Sequence, residues 1–227
     1  MTLNHFFRIL IRWAILVFLL AKGLLLIAGS THLRMLNAYI AIFVASLLVM
    51  MVAIGPRIAQ QPRQAEKRGA PDRIVRTALV TLFIATIVMA ALDVGRLHIS
   101  NHVPIALNII GLALFGGASG FQAWAMSVNS FYSPLIHIQA DRGHSVVTRG
   151  PYRFLRHPAY FANIVAVPAS ALAIGSWVAL IPAAVCCAFT VWRARREDTF
   201  LRQHLVGYKE YIQEVPGGVL PHLSLKL

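Results

Sequence analysis

Acidic residues are scarce in this chain. Eight Asp and Glu stand against 21 Lys and Arg in 227 residues, and charged side chains of either sign make up only 13% of the total. With 58% hydrophobic residues and a mean hydropathy of +0.66, that poverty of charge excludes an ordinary soluble domain and indicates a membrane composition. The net charge of +13 raises the question of nucleic acid. Most of that charge lies in short segments between apolar runs, where it sets membrane topology, so a nucleic-acid surface is not indicated. Cysteine is nearly absent. Cys186 and Cys187 are neighbours inside an apolar run, which excludes a disulfide framework and suits small packing residues. There is no G-x-G-x-x-G, so a Rossmann-type nucleotide site is not indicated. Gly116 to Gly120 is not a phosphate loop either, since no strand precedes it and no Lys follows. Its G-x-x-x-G spacing reads as close helix packing, with a dimer face as the alternative. His5, His32, His98, His102, His137, His204 and His222 lack ligand-like spacing, so no metal site is expected. No cleavable leader is expected, because the first apolar run, near Ile9 to Ile27, is longer than a signal core and no A-x-A-like site follows it.

What the chain does have is long apolar runs. About 20 apolar residues cross a bilayer as a helix. Six candidates follow, at about 9–27, 36–54, 77–92, 104–127, 157–174 and 177–192. The last two are separated by Gly175 and Ser176 and read as a tight hairpin. The expected fold is an all-α, polytopic membrane bundle with a C-terminal amphipathic helix. With the N-terminus placed in the cytoplasm, 18 of the 21 basic residues fall on the inner side and only Arg34 and Arg96 on the outer; Lys22 lies within the first span and snorkels outward. Both termini and the 128–156 segment are then cytoplasmic. Residues 55–76, rich in Pro, Gln and Arg, read as an inner loop, either a solvated linker or a segment touching anionic lipid. Asn129, Phe131 and Tyr132 read as interfacial belt residues.

The densest chemistry lies in Arg142 to Tyr160, RGHSVVTRGPYRFLRHPAY. Arg, His and Tyr are kept beside a bilayer segment only at a cost, so the cluster is a functional-site candidate. Gly150-Pro151 is a turn signal. Pro158 suits the first position of a helix, which puts His157 at the N-terminal edge of the fifth span, where unpaired N–H groups can bind acceptors. Tyr152 and Tyr160 bring aromatic faces that attract cations. A second element, 191–216, follows the last span. Arg193 and Glu197 are four apart on one helical face, and the carboxylates of Glu197 and Asp198 stand on the same side of the membrane as the first cluster. There they could bind an ammonium or ribose hydroxyls.

The pattern H-x-V-V-T-x-G-P-Y-x-x-x-R-H-P-x-Y, followed by a span pair, R-x-x-x-E-D-x-x-L and Y-x-x-Y-x-x-x-V-P, resembles the isoprenylcysteine carboxyl methyltransferase family, which is grouped with the membrane phospholipid methyltransferases. The resemblance covers about residues 124–221, so the chain divides into variable N-terminal spans (1–127) and a methyltransferase core (128–227). It implies an integral membrane enzyme using S-adenosylmethionine on a lipophilic substrate, either an isoprenylcysteine-type carboxylate or a lipid headgroup. By matching position it implies that His144, Ser145, Val146, Val147, Tyr152, His157, Pro158, Ala159, Tyr160 and Glu197 contact the cofactor. Gln139 matches at a different spacing. Gly150, Pro151 and Asp198 complete the candidate cofactor set. Arg193, one turn before Glu197, is implied to face the substrate carboxylate or the transferring methyl. The tail departs from the family's F-G-x-E-Y, reading His204-Leu205-Val206-Gly207-Tyr208. A carboxylate acceptor needs no base, whereas an amine acceptor would call on His144 or Glu197.

Each feature also has a plainer explanation. Arg142, Arg149 and Arg153 suit a lipid-anchoring loop. His157 suits a simple cap. An exposed Arg193–Glu197 pair is worth only about 0.3–0.5 kcal/mol. Two other functions stay open: an NADPH-dependent membrane reductase of the steroid-reductase type, and a non-catalytic scaffold or transporter.

Overall fold

The computed structural model describes the backbone of residues 3–59, 70–100 and 102–220, with side chains from 15–53, 72–100 and 102–220. Among these residues the protein is a helical membrane bundle. Its long helices are α1 (Leu3–Ala28), α2 (Arg34–Ala59), α3 (Ala70–Leu92), α4 (Ile105–Val128), α5 (Pro158–Ile174) and α6 (Leu180–His204), and a short α7 (Tyr208–Glu214) follows. Three segments are long and apolar enough to cross a membrane, Arg34–Ala53, Asp72–Leu97 and Ile105–Val128; Ile15–Ala28 and Pro158–Ile174 are shorter apolar helices.

Three boundaries differ from the sequence expectation. The third span is longer than 77–92, because α3 starts at Ala70 and runs on through a π-helical turn at Asp93–Leu97. Both ends of the expected 55–76 loop are helix, since α2 continues to Ala59 and α3 starts at Ala70; residues 60–69 lie outside the described residues. The sixth span does not stop at 192. Its helix continues through the charged stretch to His204, and only Gly207, at φ +82°, breaks it before α7. The hairpin turn behaves as read: Gly175 caps α5 at φ +105°, where a side chain would be strained.

The core is built from small residues and a group of rings. Ala118 on α4 and Ala166, Ala169 and Ala173 on α5 are buried, which lets these two backbones approach closely. The tightest point is Gly111, where an added Cβ would sit 2.5 Å from the Ala173 nitrogen and 2.9 Å from the Ala169 oxygen. The G-x-x-x-G stretch does not make this contact. A Cβ on Gly117 or Gly120 would meet nothing within 4 Å, and one on Gly116 would touch only Ile42 at 3.6 Å. Tyr39, Phe43 and Phe115 pack beside one another, with Tyr39 and Phe115 centroids 4.9 Å apart, and the Tyr39 hydroxyl donates to Ser170 Oγ at 3.1 Å.

Polar locks hold one end of the bundle. Arg96 Nε donates to the Ile27 carbonyl at 2.7 Å, satisfying the orphan C-terminal oxygens of α1. Asp93 accepts from Ser176 Oγ at 2.5 Å and from the Ile99 amide at 2.8 Å, and Asn108 donates to the Leu172 carbonyl at 2.8 Å. The end of α4, the start of α5 and the polar part of α6 gather at the opposite end.

Gly111→Ala should lower stability by about 1–3 kcal/mol through overpacking against backbone, while Gly117→Ala should leave it unchanged. Thermal unfolding in detergent checks both; equal midpoints would contradict the α4–α5 contact.

Candidate active site

Residues 129–157 form a segment folded on local bonds. The Asn129 side chain donates to the Tyr152 hydroxyl at 3.2 Å and accepts from the Phe131 amide at 2.9 Å. Gln139, which is buried, donates to the Phe131 carbonyl at 2.6 Å and accepts from Arg142 Nη1 at 2.6 Å. The Gln139 amide donates to His144 Nδ1 at 3.3 Å, and the His144 ring stacks on Phe131 with centroids 4.6 Å apart. Burial, with His137 and Arg142 nearby, pushes the His144 pKa down, so the ring is neutral at physiological pH. Its Nδ1 acts as acceptor, which leaves the proton on Nε2.

Two buried ion pairs tie this segment to distant parts of the chain. Arg156 donates through Nε and Nη2 to Asp198 at 3.2 and 2.8 Å, and through Nη1 to the Val215 and Pro216 carbonyls at 2.7 and 2.8 Å. Asp198 also accepts from the Tyr208 hydroxyl at 2.6 Å and pairs with His157 Nε2 at 2.9 Å. Burial alone would raise the Asp198 pKa, but the bonds from His157, Arg156 and Tyr208 outweigh it and hold the carboxyl well below the usual range. The main-chain amides of Arg156 and His157 donate to the Gly217 and Gly218 carbonyls at 2.9 and 3.1 Å, and the Tyr211 hydroxyl donates to the Tyr152 carbonyl at 2.6 Å. The C-terminal tail is thereby closed over the start of α5. In the second pair, Arg193 donates through Nε and Nη2 to Asp72 at 3.1 and 2.7 Å, and through Nη2 to the Pro134 carbonyl at 2.8 Å.

Between these pairs lies a cavity of about 520 Å³. His144, Ser145, Val146, Val147, Tyr152, His157, Pro158, Ala159, Tyr160, Arg193 and Glu197 all line it. The Tyr160 hydroxyl donates to Glu197 Oε2 at 2.6 Å, joining the R-H-P-x-Y run to the element after α6.

Four sequence candidates stand elsewhere. Asp198 faces the Arg156–His157–Tyr208 clamp rather than the cavity, and its oxygens are occupied by four bonds. Gln139 braces the loop behind His144 and Phe131. Gly150 at φ +61° and the buried Pro151 shape the turn against Val128. Arg193 pairs with Asp72 rather than with Glu197 as an i,i+4 partner. Phe131 and Tyr132, read as belt residues, line the cavity. Asp72 escaped notice because its partner is 121 positions away.

Residues 107–206 match the phospholipid methyltransferase family. That match covers somewhat less than half of the chain. Over 96 residues the chain is 36% identical to protein-S-isoprenylcysteine O-methyltransferase A of Arabidopsis thaliana and 34% identical to protein-S-isoprenylcysteine O-methyltransferase B of the same plant. Each alignment covers 39% of this chain and 46% of the relative, so the match spans about half the length of those methyltransferases. The motif resemblance and the family match overlap over about residues 124–206, and the Tyr208–Pro216 tail motif lies outside the match.

The Asp198 clamp gives a signed pH dependence. A carboxyl depressed on folding contributes stability above its unfolded pKa, about 4, and loses it as pH falls below that value. Asp198→Asn should cost about 3–5 kcal/mol at pH 7, because Arg156 is left buried and uncompensated. The gap between the two proteins should narrow toward pH 3. Unfolding midpoints against pH test this, and a gap independent of pH would contradict it.

Proposed function

We propose that this chain is an integral membrane methyltransferase that uses S-adenosylmethionine and methylates a carboxylate on a lipophilic acceptor. The observation that carries the reading is the cavity in which Glu197, Tyr160, His144 and Arg193 meet. The family match and the names of the two relatives support it.

The residues fit the cofactor. A cavity of about 520 Å³ lies within the usual range of roughly 300–1,000 Å³ for small-molecule sites. Glu197 is half-buried and accepts one bond from Tyr160, which leaves carboxylate capacity for an ammonium or hydroxyl. Tyr132 and Tyr160 line the cavity, and the Tyr160 ring is itself held between the His157 ring, with centroids 5.4 Å apart, and the Arg193 guanidinium 5.6 Å from its centroid. On this reading His144 to Val147, Tyr152, His157 to Tyr160 and Glu197 hold the cofactor. The bound cofactor supplies an electrophilic methyl group.

The chain's own part is placement and exclusion of water. Arg193 spends Nε and Nη2 on Asp72 and Pro134, and Nη1 makes no hydrogen bond among the described residues. That end of the guanidinium is fixed at the cavity wall and suited to orient an acceptor carboxylate. A carboxylate is deprotonated at neutral pH, so His144 need not act as base. Orientation of this kind supplies roughly 7–11 kcal/mol when reactants are held in line. The tail, held by Asp198, covers the start of α5 beside the cavity. By the positive-inside rule this end of the bundle, which carries Arg142, Arg149, Arg153, Arg195, Arg196 and Arg202, faces the cytoplasm.

Isothermal titration with S-adenosylhomocysteine tests the reading. Glu197→Ala should weaken binding by about 10- to 100-fold, the value of a charge-assisted hydrogen bond of about 1.5–3 kcal/mol. Unchanged affinity, or saturable NADPH binding in its place, would overturn it. Transfer of radiolabelled methyl into a membrane extract should give base-labile ester counts.

A further inference from the structure

The cavity continues beyond Tyr160 into the bundle, and its walls there carry a polar pair that the reading above does not use. Gln122 on α4 donates through Nε2 to Asn163 Oδ1 on α5 at 2.9 Å, and both residues line the cavity. Neither belongs to the R-H-P-x-Y or R-x-x-x-E elements. Gln122 lies six residues from the end of α4 and Asn163 five from the start of α5, so the pair sits about 7–9 Å inside the helical layer at 1.5 Å per residue. Amides at that depth, against lipid-facing helices, are costly and mark a functional pathway.

The pair is half satisfied. One bond joins the two amides, leaving one carbonyl oxygen and one amide nitrogen, and exchanging N and O in both groups gives the same remainder. Among the described residues no buried side-chain nitrogen or oxygen lacks a partner. The remaining atoms are therefore accessible. Their helical registers aim them inward: Phe115, Ser119 and Gln122 share one stripe of α4, and Tyr160, Asn163 and Ala166 share one of α5, all of them cavity-lining. Interhelical polar pairs that serve only as glue are worth about 0.6 kcal/mol on average. A pair that only joined helices would have no reason to present an open donor and an open acceptor to a ligand-sized space, whose wall there combines Phe43, Phe83 and Phe115 with the hydroxyls of Ser46 and Ser119.

We propose that Gln122 and Asn163 form a specificity element for the methyl acceptor, and that the acceptor carries in its apolar portion a neutral group that both donates and accepts, such as a hydroxyl or secondary amide. Asn163 is three positions beyond Tyr160, so this group sits about 4–5 Å deeper than the Tyr160–Glu197 contact. An all-hydrocarbon tail would leave both amides unpaired, and a site built to hydrogen-bond discriminates strongly against a ligand that lacks the group. The proposal rests on the methyltransferase reading and narrows its substrate class.

The test uses the full chain in nanodiscs, loaded with S-adenosylhomocysteine for binding or labelled S-adenosylmethionine for turnover. The probes are dodecanoic acid and a series of its monohydroxy isomers with the hydroxyl moved stepwise along the chain. One isomer should stabilise the loaded protein and be methylated with a KM roughly tenfold below that of the parent acid. Gln122→Leu/Asn163→Leu should abolish that preference, bringing the KM of the preferred isomer up to that of the parent acid. The exchanged pair Gln122→Asn/Asn163→Gln should restore part of it. No preference for any isomer in the wild type, or the same preference in the leucine variant, overturns the proposal. Loss of S-adenosylhomocysteine binding by the wild type would strike the methyltransferase reading instead.

Discussion

The structure depends on one buried carboxylate. Asp198 is 1% exposed and holds Arg156, His157 and Tyr208, groups from the entry to α5 and from the tail. A charge so placed is tolerable only while its partners remain, and removing one side of such a pair leaves an unsolvated ion. The clamp is therefore strongly coupled: start of α5, polar end of α6 and tail keep their relative positions together or lose them together. Consecutive residues on a helix point about 100° apart, so with Asp198 turned into the clamp Glu197 is presented to the cavity. Two adjacent acids in the sequence thus take different parts, one holding the structure and one facing the ligand space.

The second pair, Arg193 with Asp72, does for the first half of the chain what the clamp does for the second. Asp72 begins α3 and also accepts from the Ile136 amide at 2.9 Å, so one carboxylate joins α3, the 129–157 segment and α6. The cavity consequently draws on α2 and α3, through Phe43, Leu79 and Phe83, as well as on the helices that follow.

The helical bundle was legible in the sequence because apolar runs of membrane length admit few other structures. The meeting of the R-H-P-x-Y run with the acidic element was legible because topology put both at one end and the motif spacing tied them to a known arrangement. What was not legible was direction and distance. Spacing placed Arg193 beside Glu197 but could not show that Asp72, far away in sequence, would take the guanidinium. It placed Asp198 near a cofactor but not on the outer side of its helix. The G-x-x-x-G signal pointed to close packing in α4, yet Gly111, outside that motif, makes the approach, because the register of α5 decides which glycine meets a backbone. The helical face carrying Arg193 and Glu197 was legible, but not that it is one unbroken helix with the span before it, because charged residues end a hydropathy window without ending a helix.

Hydrogen exchange tests the central claim that Asp198 closes the tail over the cavity. In the wild type the amides of Arg156, His157, Tyr211 and Val215, all bonded within or onto the tail, should be protected. In Asp198→Asn they should exchange at least tenfold faster, while amides in the middle of α4 and α5 keep their rates. Unchanged protection of those four amides in the variant would contradict the account.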